Sequence, residues 1–533
     1  MQSGPAGRSA LAHPSPVLVI PALVAAAAVS IPLFYVCLRA IEGGAGRYME
    51  LVTSELSLQL LWRTLLLVAG VVPLAAFIGV SMAWLVTRTR LPGRRIWAVL
   101  AALPLVFPSY LASFALVSML GPGGVLQELF GPAAPIRLGD LAYGYSGALI
   151  ALGFFTYPYV YLMSIAALRE TDQTLEEAAQ SLGSGPWRRF RDIVLPQLLP
   201  AVRSGSLLVT LYVLSDFGAV SIVRYQTFTL GIYNAYRGLF DRSVAAALST
   251  VLILLTLVFI AMDASFRRPP RKRTSGAARP PLLLPLGRWA PVALAWSCLV
   301  IGVGFAIPTL TILHWVARAL EMNRALDWSF QGTAESVGIS IAAALTATLF
   351  AIPVALWSAR HPSAISRGVS RIVFAGYALP GLVVALALVF FATRSMIVLY
   401  QTLGLLLAGY VVRFLPESVG AIESSAARLS PNYELAARSL GASRFRTFRT
   451  ITLPLLRGGI LTGGGLVFLT TIKELPATLI LRPSGFETLA TRIWTSVTEA
   501  FYAEAAIPSL VLILVSALPL YALVIRPVLG SSR

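Results

Sequence analysis

The sequence predicts an all-α membrane protein of about 12 transmembrane helices, arranged as two parallel repeats of six. Of its 533 residues, 57% are hydrophobic and only 12% are charged, whereas a soluble domain carries about 25% charged residues. Apolar runs of roughly 20 residues, enough to cross the core of a bilayer, recur along the whole chain. One polar segment also occurs twice, at the same place among these runs.

Each half of the chain contains six apolar runs. In the first half they lie near residues 17–39, 60–87, 96–119, 146–168, 201–222 and 244–265. In the second half they lie near residues 289–313, 334–359, 372–392, 402–424, 458–481 and 504–526. Because six is even, both halves have the same orientation, and the repeat axis runs along the membrane normal.

The charge of the chain marks its orientation in the membrane. The formal net charge is +19, and most basic residues are arginines at the ends of the apolar runs. They collect in alternate connections, while the opposite connections hold acids such as Glu42 and Glu128. By the positive-inside rule, this predicts that both termini face the cytoplasm. Because topology explains the charge, no nucleic-acid partner is expected.

The chain divides into two repeats and a linker. The first repeat covers residues 1–265 and the second covers residues 289–533. Between them, residues 266–288 are rich in arginine and proline, which predicts an unfolded cytoplasmic tether. Contact of this tether with anionic lipid is an alternative role.

The segment that occurs twice is the strongest signal in the sequence. Residues 176–196, the first polar repeat, read Glu-Glu-Ala-Ala-Gln-Ser-Leu-Gly and end in Ile-Val-Leu-Pro. Residues 434–454, the second polar repeat, read Glu-Leu-Ala-Ala-Arg-Ser-Leu-Gly and end in Ile-Thr-Leu-Pro. The two copies lie 258 residues apart and have identical internal spacing. A pair of interfacial helices without a partner is the alternative, which the duplication disfavours.

Each polar repeat is predicted to form a short helix, a turn and a second helix on the cytoplasmic face. Acidic residues suit the N-terminus of a helix because they complement its dipole. Paired alanines allow a partner surface to approach closely. Gly183 and Gly441 permit a turn that a side chain would block. Pro196 and Pro454 fit the first turn of the next membrane helix.

The polar repeats resemble the EAA loop of binding-protein-dependent ABC importer permeases, in Glu-Ala-Ala, Gly and Ile-x-Leu-Pro at the same spacing. The resemblance covers nearly the whole chain. It implies a coupling helix that docks on a cytosolic ATPase. The residues that it implicates in this coupling are Glu176, Glu177, Ala178, Ala179, Gly183, Glu434, Ala436, Ala437 and Gly441. The second repeat departs from the family pattern, because Leu435 stands where the motif has Glu and Glu434 lies one position earlier.

Charged residues within the apolar runs form a second set of candidates, because they are costly in a membrane and often functional. Asp216 and Glu474 are again 258 residues apart, so each half places an acid at the same point of its fifth run. Arg413 and Glu417 lie one turn apart in the fourth run of the second half. We expect these four residues to line or gate a translocation path. Local pairing, of Arg413 with Glu417 and Lys473 with Glu474, is the alternative.

The words around these acids, Leu-Ser-Asp-Phe-Gly and Lys-Glu-Leu-Pro-Ala-Thr, resemble fused permeases of ferric iron importers. This resemblance implies two cytosolic ATPase subunits, which hold ATP and Mg²⁺, and a periplasmic binding protein that delivers the cargo. Membrane lipid is a further expected partner, and no cofactor or metal is expected in this chain. Thiamine, a polyamine or an inorganic anion are alternative cargoes.

The chain contains no standard P-loop for ATP hydrolysis. Its only lysines are Lys272 and Lys473, and neither follows a glycine as the lysine of a P-loop must. We therefore expect a transporter subunit and no enzyme. A gradient-driven secondary transporter is a rival that would have no ATPase-docking loop.

Overall fold

The computed structural model describes residues 15–42, 44–131, 137–171, 173–238, 242–266, 283–322 and 330–525. Within these ranges the protein is helical, and its β-structure is one isolated bridge between Thr89 and Leu284. Eleven helical segments are long and apolar enough to cross a membrane, and Gly381–Ser395 is a shorter apolar helix. These twelve segments follow the order of the twelve predicted runs, so the predicted all-α fold class is confirmed.

Among the described residues, the first half contains fourteen helices and ends with a long apolar helix. They are α1 (Pro16–Ile41), α2 (Ala45–Thr53), α3 (Glu55–Arg88), α4 (Arg94–Leu100), α5 (Ser109–Leu120), α6 (Val125–Phe130), α7 (Arg137–Leu141), α8 (Gly144–Glu170), α9 (Gln173–Ser181), α10 (Pro186–Arg189), α11 (Leu195–Ser215), α12 (Gly218–Ile222), α13 (Phe228–Arg237) and α14 (Arg242–Phe266).

Among the described residues, the second half contains twelve helices. They are α15 (Ala290–Ile301), α16 (Ile307–Glu321), α17 (Phe330–Arg360), α18 (Ala364–Ala375), α19 (Gly381–Ser395), α20 (Leu403–Arg428), α21 (Asn432–Ser439), α22 (Arg444–Thr447), α23 (Leu453–Thr471), α24 (Pro476–Leu481), α25 (Leu489–Thr498) and α26 (Tyr502–Leu520).

The compact units of the fold cut across the two sequence repeats. The first unit combines Met1–Gly43 with Ser329–Thr491, and the second combines Gly44–Trp328 with Arg492–Arg533. In the first unit α1 packs on α17 and α19, where the Tyr35 ring meets the Phe391 ring edge-on at 5.5 Å. In the second unit α16 packs on α5 and α26, where the Trp315 and Tyr502 rings are 5.4 Å apart.

Close helix packing in each unit depends on small residues, as is common between membrane helices. A Cβ at Gly79 would lie 2.9 Å from the backbone of Tyr157 and Tyr161, so α3 and α8 touch at this glycine. A Cβ at Gly463 would lie 2.9 Å from the Cα of Ser418, where α23 meets α20.

Four predicted transmembrane runs are interrupted, and the expectation of one continuous helix in each was wrong. The run at 96–119 divides into α4, a short 3₁₀ turn and α5, and the run at 372–392 divides in the same way into α18 and α19. The runs at 201–222 and 458–481 end as regular helices at Ser215 and Thr471. Proline at Pro108 and Pro380 explains the first two breaks, because the ring favours extended backbone before it and cannot donate a helical hydrogen bond.

Most of the predicted linker, residues 267–282, lies outside the described residues. The chain after it is held at the end of α3. Leu284 donates its N–H to the carbonyl of Arg88 at 2.9 Å, and its own carbonyl accepts from the N–H of Arg90 at 3.0 Å. This bridge places the end of the linker beside Arg88, which also contacts the first polar repeat.

Candidate functional site

The first polar repeat forms a helix, a left-handed turn and a second helix. Helix α9 ends at Ser181, and Gly183 follows with a φ of 79°. The N–H of Ser184 reaches back to the carbonyl of Ala179 at 2.9 Å, and the N–H of Gly183 reaches that of Gln180 at 3.0 Å. These two bonds define a Schellman motif, which satisfies the free carbonyls at the end of a helix.

The second polar repeat has the same turn. Gly441 has a φ of 85°, the N–H of Ala442 bonds to Ala437 at 3.0 Å and the N–H of Gly441 bonds to Arg438 at 3.1 Å. A Cβ at Gly183 or Gly441 would meet nothing within 4 Å, so the backbone angle alone requires glycine. The predicted glycine turn is therefore confirmed in both copies.

The second helix of each polar repeat runs directly into the membrane. Helix α10 continues through a single π-helical segment, Phe190–Val194, into α11, and α22 continues through Phe448–Thr452 into α23. The expectation of a second helix lying separately on the cytoplasmic face was wrong. Each π segment ends two residues before Pro196 or Pro454, whose missing N–H and ring disturb the regular hydrogen-bond ladder.

The coupling residues implied by the resemblance divide between an outer and an inner face. Glu177, Ala178 and Ala436 are exposed, whereas Ala437 is buried. The outer alanines leave backbone accessible to a partner, and the inner ones pack on their own subunit.

Apolar side chains on the outer face of the polar repeats were missed in the sequence. Leu182 and Leu440 are 85% and 87% exposed, and Trp187 and Phe445 are 71% and 73% exposed. Each pair is 258 residues apart, so both polar repeats present a leucine and an aromatic residue at equivalent positions beside the turn. The available signal was an apolar residue at a repeated position within a polar segment. We call these four residues the apolar knobs.

Glu176 and Glu434 have equivalent partners in the two polar repeats. Nη1 of Arg88 lies 3.0 and 3.2 Å from the two carboxylate oxygens of Glu176, and Nη2 of Arg360 lies 3.2 Å from Oε1 of Glu434. The departure of the second repeat from the family pattern thus leaves this contact intact. Glu176 and Glu434 are structural counterparts, while exposed Leu435 stands at the place of Glu177.

Asp216 lies at a break between two helices and caps the second of them. Its Oδ1 accepts hydrogen bonds from the N–H groups of Ala219 at 3.0 Å and Val220 at 3.3 Å, at the start of α12. Ser109 Oγ, at the start of α5, donates a hydrogen bond to Oδ2. A side-chain acceptor in this position satisfies the free N–H groups of a helix N-terminus.

Glu474 occupies the matching break in the second half. Its Oε1 accepts from the N–H of Ala477 at 3.1 Å, and its Oε2 lies 3.5 Å from Nε of Arg413. Nη1 of Arg413 also donates to the carbonyl of Leu379 at 3.2 Å. Glu474 is 7% exposed, so this ion pair is buried. Arg413 therefore pairs with Glu474, and Oε2 of Glu417 accepts a hydrogen bond from Thr470 at 3.0 Å.

The first residue of α19 explains why the two breaks differ. A Cβ at Gly381 would lie 2.6 Å from both Nη1 of Arg413 and Oε1 of Glu474. Gly381 follows Pro380 in the second half, as Ser109 follows Pro108 in the first half. In the first half this position supplies the Ser109 hydroxyl, which bonds to the acid. In the second half it has no side chain, and the space is filled by Arg413. Pro108 is therefore the counterpart of Pro380, whereas Pro104, which follows a leucine as Pro380 does, lies inside the preceding 3₁₀ turn.

The surroundings of the breaks are aromatic in one half and polar in the other. Where the second half has Arg413, the first has Phe155, whose ring packs against Phe107 at 5.8 Å. Where the second half bonds Glu417 to Thr470, the first half packs the Tyr159 ring against the Tyr212 ring, tilted by 41° with the ring centres 6.0 Å apart. Among the described residues, no group of three His, Cys, Asp or Glu side chains could hold a metal ion.

Residues 72–269 and 351–525 match the family described as "Binding-protein-dependent transport system inner membrane component". The chain is 32% identical to the Fe(3+)-transport system permease protein FbpB 2 of Haemophilus influenzae, over 92% of this chain and 95% of that protein. It is 25% identical to the probable ABC transporter permease protein y4fN of Sinorhizobium fredii, over 91% of this chain and 90% of that protein. The molybdenum transport system permease protein ModB of Escherichia coli is 30% identical over 40% of this chain and 96% of its own.

A duplicated helical fold with two polar repeats defines a transport permease. The chain belongs to the family of inner membrane components of binding-protein-dependent transport systems, with the family domain present twice in one polypeptide. The resemblance drawn from the sequence is confirmed. The protein is the multi-pass permease subunit of an ABC transporter, and ATP is hydrolysed by a separate subunit.

Proposed function

We propose that this permease imports ferric iron, delivered by a periplasmic binding protein, across the bacterial inner membrane. The proposal of ferric iron as the cargo rests on the 32% identity with a permease named for Fe(3+) transport, over 92% of this chain. The local words around Asp216 and Glu474 resemble the same group of permeases. The similarity to ModB covers only 40% of the chain, which supports the shared permease class and makes molybdate the anion control.

We further propose that each polar repeat docks one cytosolic ATPase subunit, so that two subunits bind and both termini of the permease are cytoplasmic. Duplicated knobs support two equivalent docking sites. A leucine and an aromatic ring that are largely exposed among arginines suit an apolar pocket in a partner protein. ATP and Mg²⁺ are held by those subunits, and this chain holds no cofactor.

The proposed cycle uses geometry rather than bond-making. Closure of the ATPase pair around ATP draws the two polar repeats together and opens the path outward to the loaded binding protein. Hydrolysis separates the repeats and returns the path to the inward-facing state. A ligand that binds one conformation better shifts the population towards it, and ATP acts here through the ATPase pair.

Asp216, Glu474, Arg413 and Glu417 are proposed to gate the path by fixing the two helix breaks. Asp216 and Glu474 bond to helix N-termini, and Asp216 also bonds to Ser109 of α5. Arg413 bonds to Glu474 and to the carbonyl of Leu379, just before α19. These contacts support gating over direct binding of the ion. The test is the double variant Asp216→Asn with Glu474→Gln in purified, assembled transporter. We expect slower uptake at unchanged assembly, and normal uptake would overturn the gating role.

Docking is tested by the double variant Leu182→Ser with Leu440→Ser. Loss of both leucine knobs should weaken co-purification of the ATPase and abolish uptake, while the permease itself stays folded because both side chains are exposed. The exposed residues Leu257 and Leu514 cannot serve as controls, because they lie within membrane-spanning segments. The matched control is Val398→Ser, which is 84% exposed and outside the polar repeats. Full co-purification with both leucines removed would contradict the docking surface.

Cargo is tested by uptake of radiolabelled ferric iron, with thiamine and molybdate in parallel, in a deletion strain and its complemented counterpart. We expect only ferric iron uptake to fail in the deletion strain and to return on complementation. Uptake that survives ATP depletion but stops on collapse of the proton gradient would instead identify a secondary transporter.

A further inference from the structure

Two arginines end equivalent membrane helices and reach into the two polar repeats. Arg88 is the last residue of α3, and Arg360 is the last residue of α17. The family motif does not include either of them, and each lies more than seventy residues before the glutamate that it contacts. The contact is therefore made by the fold rather than by neighbouring sequence.

Each arginine joins three elements. Besides Glu176 of α9, Arg88 donates from Nη2 to the carbonyl of Leu168, in the last turn of α8, at 3.1 Å. Besides Glu434 of α21, Arg360 donates from Nη1 to the carbonyl of Leu429, the residue that follows α20, at 3.1 Å. One guanidinium in each half thus ties a membrane helix to the end of a second membrane helix and to the first helix of the polar repeat.

Burial makes these contacts rigid. The side chain of Arg88 is 2% exposed and that of Arg360 is 10% exposed. Water competes poorly with an ion pair at such sites, and a guanidinium fork fixes the geometry of its partner. The surface pair of Arg188 with Asp192, whose side chains are 79% and 56% exposed, has none of this restraint.

We propose that Arg88 and Arg360 are positioning residues that transmit movement of the polar repeats to the membrane helices α3 and α17. This inference rests on the proposed docking of an ATPase on the polar repeats, and it names the connection between that docking and the path. When an ATPase displaces α9, the ion pair carries α3 with it. Without the arginine, α9 can move while α3 stays in place.

The two connections differ in their neighbours. Thr452 Oγ1 also donates to Oε1 of Glu434 at 3.2 Å, whereas the equivalent residue of the first repeat is Val194. In the first half, the bridge of Leu284 to the backbone of Arg88 and Arg90 adds a restraint at the end of α3. Each half therefore supports its arginine connection with one further contact of a different kind.

The test uses the complete transporter, with its ATPase and binding protein, in proteoliposomes. The variants are Arg88→Gln, Glu176→Gln and the double change, with the matching set at Arg360 and Glu434. Iron uptake and ATP hydrolysis are measured together. We expect each variant to keep its ATPase and its hydrolysis but to lose about ten-fold in iron moved per ATP, a typical size for coupling between two sites.

Two comparisons separate transmission from folding. The double change Arg88→Gln with Glu176→Gln should lose no more than either single change, because both remove the same connection. Arg88→Lys should retain part of the coupling, since an ammonium keeps the charge but lacks the planar fork. Exposed Arg90→Gln and Arg367→Gln are the matched controls and should keep the wild-type ratio.

The inference is overturned if assembled variants keep the wild-type ratio of uptake to hydrolysis. It is also overturned if each variant loses its ATPase, because the arginines would then serve docking or folding. Failure of the proposed function is distinguishable, since the unmutated permease would then bind no ATPase, or the unmutated transporter would take up no ferric iron.

Discussion

Gly381 decides which polar group meets the carboxylate at the second helix break. A Cβ at this position would lie 2.6 Å from Nη1 of Arg413 and Oε1 of Glu474, a distance that real Cβ contacts do not reach. Gly381→Ala should therefore separate the ion pair or displace α19, and overpacking of this kind costs about 1–3 kcal/mol. The measurement is the thermal midpoint of the purified permease in detergent.

The control for this change is Gly338→Ala, in α17, where an added Cβ would meet nothing within 4 Å. Glycine in a helix interior is less stable than alanine by roughly 0.5–1 kcal/mol, so this substitution should leave the midpoint unchanged or raise it. Equal midpoints for the two variants would show that the space at Gly381 is not required.

His361 follows Arg360 directly and gives the polar repeats a dependence on pH. Burial lowers the pKa of His361, the nearby Arg444 lowers it further, and Glu434 opposes them. The folded protein therefore binds fewer protons than the unfolded chain just below the ordinary histidine pKa of about 6.5, so its stability falls as the pH falls through that range. In His361→Gln, the loss of thermal midpoint between pH 7.5 and pH 5.5 should be smaller than in the wild type. An unchanged loss would contradict this assignment.

Residue-scale features were only partly predictable from the sequence. The duplicated spacing predicted that Asp216 and Glu474 are counterparts, and both do cap the helix that follows a break. The partners Ser109 and Arg413 could not be predicted, because they come from distant helices. A leucine precedes both Pro104 and Pro380, which would match these two prolines, whereas the proline that precedes the equivalent helix is Pro108.

At the scale of elements, the turn of each polar repeat depends on one backbone angle. Gly183 has a φ of 79° and free space around its Cα. Asparagine tolerates this left-handed conformation better than other non-glycine residues, and β-branched residues tolerate it least. Gly183→Val should therefore weaken ATPase co-purification more than Gly183→Ala, and Gly183→Asn should weaken it least, with a cost for alanine of roughly 1–2 kcal/mol.

The matched control for this series is Gly185→Ala. The φ of Gly185 is not positive, and a Cβ there would also meet nothing within 4 Å. It should leave co-purification unchanged. A ranking by side-chain volume alone, with asparagine as disruptive as valine, would show that space and not backbone angle governs the turn.

The element pattern shows what periodicity can and cannot detect. Hydrophobic runs located the membrane helices, but they passed through the breaks at Asp216 and Glu474, because a capped break leaves the surrounding residues apolar. The same limit applies to the π segments before Pro196 and Pro454, where composition gives no sign that the second helix of the polar repeat is continuous with the membrane helix.

At the scale of the molecule, residues 1–265 and 289–533 are the repeats of similar sequence, but they are not the compact units. The first helix of each repeat belongs to the compact unit that contains most of the other repeat. Nothing in the sequence of α1 indicates this exchange, since an apolar helix can pack on either core. In the structure Tyr35 contacts Phe391 and donates or accepts a hydrogen bond with Ser395 at 2.9 Å. Val29 of α1 also packs directly against Gly376, where an added Cβ would lie only 2.9 Å from a methyl group of Val29.

This arrangement predicts where removal of the N-terminal helix does damage. Deletion of residues 1–43 should accelerate amide hydrogen exchange in α17 and α19, which lose their packing against α1, because local opening follows the loss of buried apolar contacts. Helices α5 and α16, in the second unit, serve as the internal control and should exchange as before. If α1 belonged instead with the helices that follow it in the chain, α3 and α8 would show the faster exchange and α17 would not. The deletion therefore distinguishes packing of α1 on its own repeat from packing on the other.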